Sequence, residues 1–96
     1  MFFTIKAKDK ENTLALRMAN REEHLQKVFL LKEKGFLIDG GAILNEKKEM
    51  VGSIMFFECK DKEELNEYIE NEIFYKAGVW GEIEIIPMTR IQWKKD

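Results

Sequence analysis

The chain has 96 residues, of which 45% are hydrophobic and 35% are charged, and its net charge is −2. This size and balance predict one folded domain over residues 1–96 and argue against a disordered chain. The 16 basic residues form no cluster, which argues against nucleic-acid binding, and no apolar run is long enough to cross a membrane.

The amino-terminal segment is predicted to be a strand. Residues 2–8 alternate, with Phe3, Ile5 and Ala7 on one side and mostly polar residues on the other. The start of the chain lacks the basic region and the long apolar core of a signal peptide. We therefore expect a cytoplasmic protein.

A long helix is predicted next. Asn12 or Thr13 is its expected N-cap, because both side chains accept hydrogen bonds from the first helical N–H groups. Apolar residues at helical spacing continue towards residue 34, and Gly35 occupies the usual position of a C-cap glycine. Ala19-Asn20 predicts a break, after which the helix resumes at residue 21.

The rest of the chain is predicted to contain three strands and a second helix. In order, these segments are a strand over residues 36–44, a turn over 45–49, a strand over 50–59, a helix over 61–69, a connecting segment over 70–78 and a strand over 79–88. Asp61 is the expected N-cap of the second helix. Gly40-Gly41 predicts a bulge, or a place where another backbone or a ligand comes close.

The order β-α-β-β-α-β predicts an α+β fold of the ferredoxin-like class, with two helices on one face of a four-stranded antiparallel sheet. The third strand is apolar on both faces, since Val51, Met55 and Phe57 point one way while Ile54 and Phe56 point the other. Because the helices cover only one face, the second apolar face predicts a homodimer that packs sheet to sheet.

Three polar residues form one stripe of the first predicted helix. Arg17, Arg21 and His24 are spaced four and three residues apart, and Val28 and Leu31 continue the stripe as apolar positions. This arrangement predicts a cleft at the rim of the core. His24 is the only histidine of the chain, and an imidazole transfers protons near neutral pH.

Two interpretations of this stripe are open at this point. In the functional one, His24 exchanges a proton with a substrate while Arg17 or Arg21 holds a negative charge. In the structural one, His24 lies at the polar rim of the helix and the arginines form ordinary ion pairs. Neighbouring arginines repel each other unless an anion is present, and that anion is either a substrate group or a protein carboxylate.

The candidate carboxylates that would orient His24 are Asp9, Asp39 and Glu72, and the sequence does not choose among them. Ser53 lies on an apolar side of its strand, where a buried hydroxyl needs a partner that a pocket would supply.

Cys59 is the single cysteine, so it forms no internal disulfide. Without a metal-ligand cluster, a phosphate-binding glycine loop or a dinucleotide fingerprint, we expect no metal and no cofactor.

A series of short motifs runs in order along nearly the whole chain. It consists of Ala7-Lys8-Asp9-Lys10, Leu16-Arg17, Arg21, His24-Leu25, Gly35, Asp39-Gly40-Gly41-Ala42, Val51-Gly52-Ser53, Ala77-Gly78-Val79-Trp80 and the closing strand from Ile83 to Pro87. In these residues the chain resembles the YciI-like (YCII-related) family. The resemblance implies a ferredoxin-like protomer within a dimeric α/β barrel.

The resemblance also implies an active site centred on a histidine and an aspartate, in a pocket near the sheet. His24 matches that histidine. Where the family often has Asp-Pro followed by an aromatic residue, this chain has Glu72-Ile73-Phe74, so a longer carboxylate takes the position of the aspartate.

Residues and resemblance together predict an enzyme without a cofactor, in which His24 with Glu72 or Asp39 performs acid–base chemistry on a small anionic or phenolic molecule. Arg17, Arg21 and Ser53 are the expected substrate-binding residues. The alternatives are a non-catalytic module that binds or senses a small molecule, and an accessory dimer that partners another protein. We expect neither a nucleic acid nor a membrane as a partner.

Overall fold

The computed structural model describes residues 1–93 of the chain, and residues 94–96 lie outside the described part. Its elements are β1 (Phe2–Asp9), α1 (Leu14–Glu33), β2 (Leu37–Leu44), β3 (Met50–Glu58), α2 (Lys62–Asn71), α3 (Ile73–Lys76) and β4 (Trp80–Met88). The four strands form one antiparallel sheet in the order β2-β3-β1-β4. The predicted ferredoxin-like α+β topology is therefore confirmed, with α3 as an additional short helix.

The core lies between the helices and one face of the sheet. From β1, the predicted set Phe3, Ile5 and Ala7 is buried, and Met55 and Phe57 are buried from the neighbouring β3. The strands form there because alternating apolar residues place one row of side chains against the helices. On the opposite face several large apolar side chains remain exposed, namely Ile54, Ile86 and Met88.

The predicted break in the first helix is wrong, since α1 runs without interruption. The Asn20 side-chain amide donates a hydrogen bond to the Leu16 carbonyl at 2.9 Å, one turn earlier, so it attaches to the helix instead of ending it. The helix ends as Gly35 predicts. Gly35 has φ of +79°, and the N–H groups of Gly35 and Phe36 reach back to the carbonyls of Lys32 and Leu31.

The starts of the helices agree only in part with the sequence. Asp61 caps α2 as predicted, because its carboxylate accepts the Glu64 N–H at 2.9 Å. Thr13 stands before α1, but its hydroxyl donates to the Lys10 carbonyl at 2.6 Å and caps no helical N–H. Asn12 adopts a φ of +60° in the preceding turn. The predicted side-chain cap of α1 is therefore wrong.

Glycine is required at two positions where the backbones of paired strands lie too close together for a side chain, one in the β1–β3 pair and one in the β2–β3 pair. A β-carbon on Gly52 would lie 2.6 Å from the Ala7 carbonyl oxygen across the β1–β3 pair. A β-carbon on Gly40 would lie 3.0 Å from the Ile54 carbonyl oxygen. The register shifts of β2 fall at residues 37–39 and 43–44, so the bulge predicted at Gly40-Gly41 is displaced to either side of it.

Gly52→Ala is expected to lower the free energy of unfolding by about 1–3 kcal/mol, because β1 and β3 must separate to admit the methyl group. Gly41→Ala is the matched control, since a β-carbon there would meet no atom within 4 Å. We expect it to change the free energy by no more than about 0.5 kcal/mol. Urea denaturation measures both, and equal losses in the two variants would contradict the explanation.

Cys59 directly follows the last residue of β3, and its side chain is buried. Burial raises the pKa of its thiol, with a smaller contribution from the Glu64 carboxylate, so the sulfur is held as the neutral thiol. None of the helices formed by residues 1–93 has the length and the apolar composition needed to cross a membrane.

Candidate functional site

A cavity of about 340 Å³ opens between α1 and the strands β2 and β3. This volume is within the range of pockets that hold small ligands. The predicted polar stripe of α1, Arg17, Arg21 and His24, lies on its wall, and Asp39 and Ser53 face it from the sheet. The structure therefore brings five of the six predicted site residues to one cavity.

The sixth, Glu72, lies behind the cavity and contacts His24 directly. Its Oε1 is 2.5 Å from His24 Nδ1, and the Glu72 side chain is fully buried. A carboxylate oxygen accepts hydrogen bonds, so Nδ1 carries the hydrogen and Nε2 remains the free nitrogen of the neutral ring. The imidazole also stacks on the Phe74 ring, with a centroid distance of 4.1 Å.

The choice among the three candidate carboxylates follows from these contacts. Glu72 is the one that reaches His24. Asp39 does not orient the histidine, because it lies exposed in β2 and its Oδ1 accepts the N–H of Gly40 at 2.8 Å. Asp9 pairs with Arg17 instead.

Both oxygens of Glu72 have protein donors. The Tyr68 hydroxyl donates to Oε2, and the Phe74 N–H donates to Oε1 at 3.5 Å. Tyr68 lies in the last turn of α2 and Glu72 is the residue that directly follows this helix, four positions further on. Burial, and secondly the negative charge of Glu72, raise the pKa of Tyr68, so its hydroxyl stays protonated and remains a donor.

Arg17 is buried and held by side chains of two strands. Its Nη1 is 2.9 Å and 3.0 Å from the two oxygens of Asp9, and its Nη2 donates to Ser53 Oγ at 2.8 Å. The guanidinium carbon lies 4.6 Å from the Phe74 ring centroid. Ser53 also accepts the Trp80 indole N–H at 3.3 Å. The partner that a buried Ser53 requires is therefore supplied by the protein itself.

The electrostatic surroundings of the two arginines differ. Burial raises the pKa of Asp9, although the adjacent Arg17 charge acts to lower it, so this pair is poorly solvated. Arg21 is partly exposed at the cavity and has no ion-pair partner among residues 1–93. Of the two arginines beside the cavity, Arg21 therefore carries the unmatched charge, while the charge of Arg17 is balanced by Asp9.

Sequence reasoning missed Tyr68 and Phe74, which complete the surroundings of His24 and Glu72. For Tyr68 the pattern did contain an indication, since a hydroxyl one helical turn before a candidate carboxylate is placed to bond it. Phe74 was assigned to a connecting segment. Within the described residues, no group of three or more His, Cys, Asp and Glu side chains is placed to hold a metal ion.

Comparisons with known proteins agree with this architecture. A 5-chloro-2-hydroxyhydroquinone dehydrochlorinase from Burkholderia phenoliruptrix, solved in complex with 2,5-dihydroxybenzoquinone, superposes with a TM-score of 0.84 and 29% identity, over 93% of this chain and 94% of that one. A protein from Agrobacterium tumefaciens, at 10% identity and a TM-score of 0.51 over 97% of this chain and 96% of that one, shares the fold alone.

Sequence comparison points the same way. An uncharacterised protein from Haemophilus influenzae is 26% identical over 97 residues, which span 95% of this chain and 99% of that protein. The family model of the YCII-related domain matches residues 1–89. The resemblance inferred from the motifs is therefore confirmed, and the chain belongs to the YCII-related domain family.

Proposed function

We propose that the protein is a cofactor-independent enzyme in which His24 and Glu72 perform acid–base chemistry on a small anionic or phenolic molecule. The observation that carries this proposal is the 2.5 Å contact between His24 Nδ1 and a buried carboxylate, beside a cavity of ligand size. A histidine that is oriented in this way by an acid is a common arrangement for a general base.

In the proposed reaction, Nε2 of His24 removes a proton from the bound molecule. Glu72 keeps the other ring hydrogen on Nδ1 and stabilises the imidazolium that forms. Arg21 attracts the negative charge that develops on the substrate, because its own charge is not matched by a neighbouring carboxylate. The imidazolium then returns the proton to another atom of the substrate, so His24 ends each cycle neutral.

Arg17 and Ser53 have a different place in this proposal from the one the sequence predicted for them. Their hydrogen-bond partners are Asp9, Trp80 and each other. We propose that they shape the wall of the cavity and hold Phe74 under the imidazole, while Arg21 binds the substrate. Asp39 lies at the rim, and we assign it no part in the proton transfer.

The substrate class to be tested first is the hydroxylated aromatic ring. The similar dehydrochlorinase acts on a hydroxyhydroquinone and was solved with a dihydroxybenzoquinone. Such molecules are planar and carry acidic hydroxyl groups, which suits a cavity with an imidazole, a cation and the apolar side chains of Met55 and Phe74. Loss of chloride is a reaction of that protein, and we do not assign it to this chain.

His24→Gln is expected to lower turnover by about 10²–10⁴-fold, the usual contribution of a general base. The experiment incubates the purified protein with a panel of hydroxybenzenes and hydroxyquinones and follows their absorbance and products. Glu23→Gln is the matched control, since Glu23 is the exposed neighbour of His24 and should leave turnover unchanged. Full turnover in His24→Gln would contradict the proposed chemistry.

The alternative is a non-catalytic module that binds or senses a small molecule. The partly open cavity with apolar walls and the unmatched charge of Arg21 supports binding without requiring any reaction. In that case a ligand would raise the melting temperature of both the wild type and His24→Gln, and no product would form with either.

We also propose that the protein is a homodimer that packs through the face of the sheet opposite the helices. Support comes from the exposed apolar side chains Ile54, Ile86 and Met88 on that face. Ile54→Glu is expected to shift the sedimentation coefficient from that of a dimer to that of a monomer. A wild-type protein that sediments as a monomer at micromolar concentration would contradict the proposal.

A further inference from the structure

The Tyr68 hydroxyl lies at the back of the site, away from the cavity, and the residue also borders a surface depression lined by charged side chains of α1 and α2. The ring packs against Phe57, with 5.0 Å between centroids, and against Phe36, at 5.9 Å. Among residues 1–93, the hydrogen-bond partners of the hydroxyl are the Glu72 carboxylate and, at 3.7 Å, the Met55 sulfur. A buried hydroxyl is costly unless it has a hydrogen-bond partner, and the main partner of this one is the Glu72 carboxylate.

The two oxygens of Glu72 serve different partners. Oε1 faces His24 Nδ1, while Oε2 accepts from Tyr68. A glutamate side chain has three rotatable bonds, so a fixed partner on the second oxygen determines the direction in which the first one points. The hydrogen bond also stabilises the negative charge of a carboxylate that water does not reach.

We infer that Tyr68 is a positioning residue, whose hydroxyl holds the Glu72 carboxylate so that Oε1 faces the imidazole of His24. This inference rests on the proposed role of His24 as the proton-transferring group. Tyr68 acts through Glu72 and contacts no substrate, because it does not line the cavity.

Other charged groups face His24 from the elements packed around it. Arg17, Arg21 and Lys32 approach the cavity from α1, and Asp39 approaches it from β2. None of these four forms a hydrogen bond with Glu72 or Tyr68. A change confined to the Tyr68 hydroxyl therefore reaches the imidazole by way of Glu72.

The test uses the fact that His24 is the only histidine in the chain. Protein labelled with ¹⁵N in histidine gives one pair of imidazole resonances, which report both the tautomer and the pH midpoint of the ring. Tyr68→Phe removes the hydroxyl and keeps the ring. The matched control is Tyr75→Phe, since Tyr75 is the only other tyrosine and is exposed.

In Tyr68→Phe the midpoint is expected to fall by about one pH unit, because a Glu72 carboxylate that is no longer held against the ring stabilises the imidazolium less. The share of the neutral ring with its hydrogen on Nδ1 should fall, as Glu72 is no longer held in one orientation. Tyr75→Phe should leave both quantities as in the wild type. In a Glu72→Gln background, Tyr68→Phe should no longer move the midpoint.

The inference is overturned by an unchanged midpoint in folded Tyr68→Phe, by an equal shift in Tyr75→Phe, or by a shift that persists with Gln at position 72. If Tyr68→Phe does not fold, 3-fluorotyrosine is incorporated into Tyr75→Phe, so that only position 68 carries the more acidic phenol. The midpoint should then fall below that of unlabelled Tyr75→Phe, because the stronger donor withdraws negative charge from Glu72. An unchanged midpoint would overturn the inference. These readouts require no substrate, so they remain separate from the turnover test of His24.

Discussion

Glu72→Ala is expected to lower the free energy of unfolding by about 3–5 kcal/mol, the loss typical of breaking a buried network of charged and hydrogen-bonded groups. The substitution deprives three donors of their acceptor at once. These donors are the Nδ1–H of His24, the Tyr68 hydroxyl and the N–H of Phe74. It also leaves a void where a fully buried side chain stood.

Chemical denaturation followed by circular dichroism measures this loss. Glu70→Ala is the control, since Glu70 is exposed at the end of α2, two residues before Glu72, and its effect should stay within about 0.5 kcal/mol. Glu72→Gln should lose less stability than Glu72→Ala, because it preserves the volume of the side chain and an acceptor oxygen. Losses of the same size in Glu72→Ala and Glu70→Ala would show that the network adds nothing to stability.

Arg17→Met is the second substitution with a large expected effect, again about 3–5 kcal/mol, because it leaves the Asp9 carboxylate buried without its cation. The two side chains are only 4% and 5% exposed, so water cannot replace the lost partner. Methionine preserves much of the volume of the aliphatic stem, which limits the cavity, and it removes the guanidinium group that lies over the Phe74 ring.

A double-mutant cycle separates the ion pair from the packing. Arg17→Met with Asp9→Asn should lose clearly less stability than the sum of the two single variants, since the double variant buries no unpaired charge. Arg21→Met serves as the control, because Arg21 has no ion-pair partner among residues 1–93, and its loss should be below about 1 kcal/mol. Strict additivity of the two single substitutions would contradict the account of the buried pair.

Much of the fold follows from local patterns. The alternation in β1, the two apolar faces of β3, the Asp61 cap and the glycine after α1 all have short-range causes, and all are observed. The break predicted at Ala19-Asn20 failed because alanine favours a helix and the Asn20 amide found a carbonyl within the same helix. The short helix α3 was missed because its stability comes from burying Phe74, which only the tertiary structure brings about.

The site was predictable to a smaller degree. Helical spacing placed Arg17, Arg21 and His24 on one stripe, but it did not show which of the two arginines forms an ion pair. The difference between them arises because the end of β1 brings Asp9 to Arg17 and no carboxylate to Arg21. Likewise, the contact between His24 and Glu72 joins residues 48 positions apart, and no local pattern encodes such a contact.

The burial of Cys59 has a practical consequence. Its thiol is shielded from solvent and held in the neutral form, and a neutral, inaccessible thiol reacts slowly with alkylating agents. Because the chain has one cysteine, the rate at which such an agent adds a single mass increment reports how often the carboxyl end of β3 separates from the core. Alkylation of Cys59, followed by mass spectrometry, therefore measures the rate of local opening without any introduced cysteine.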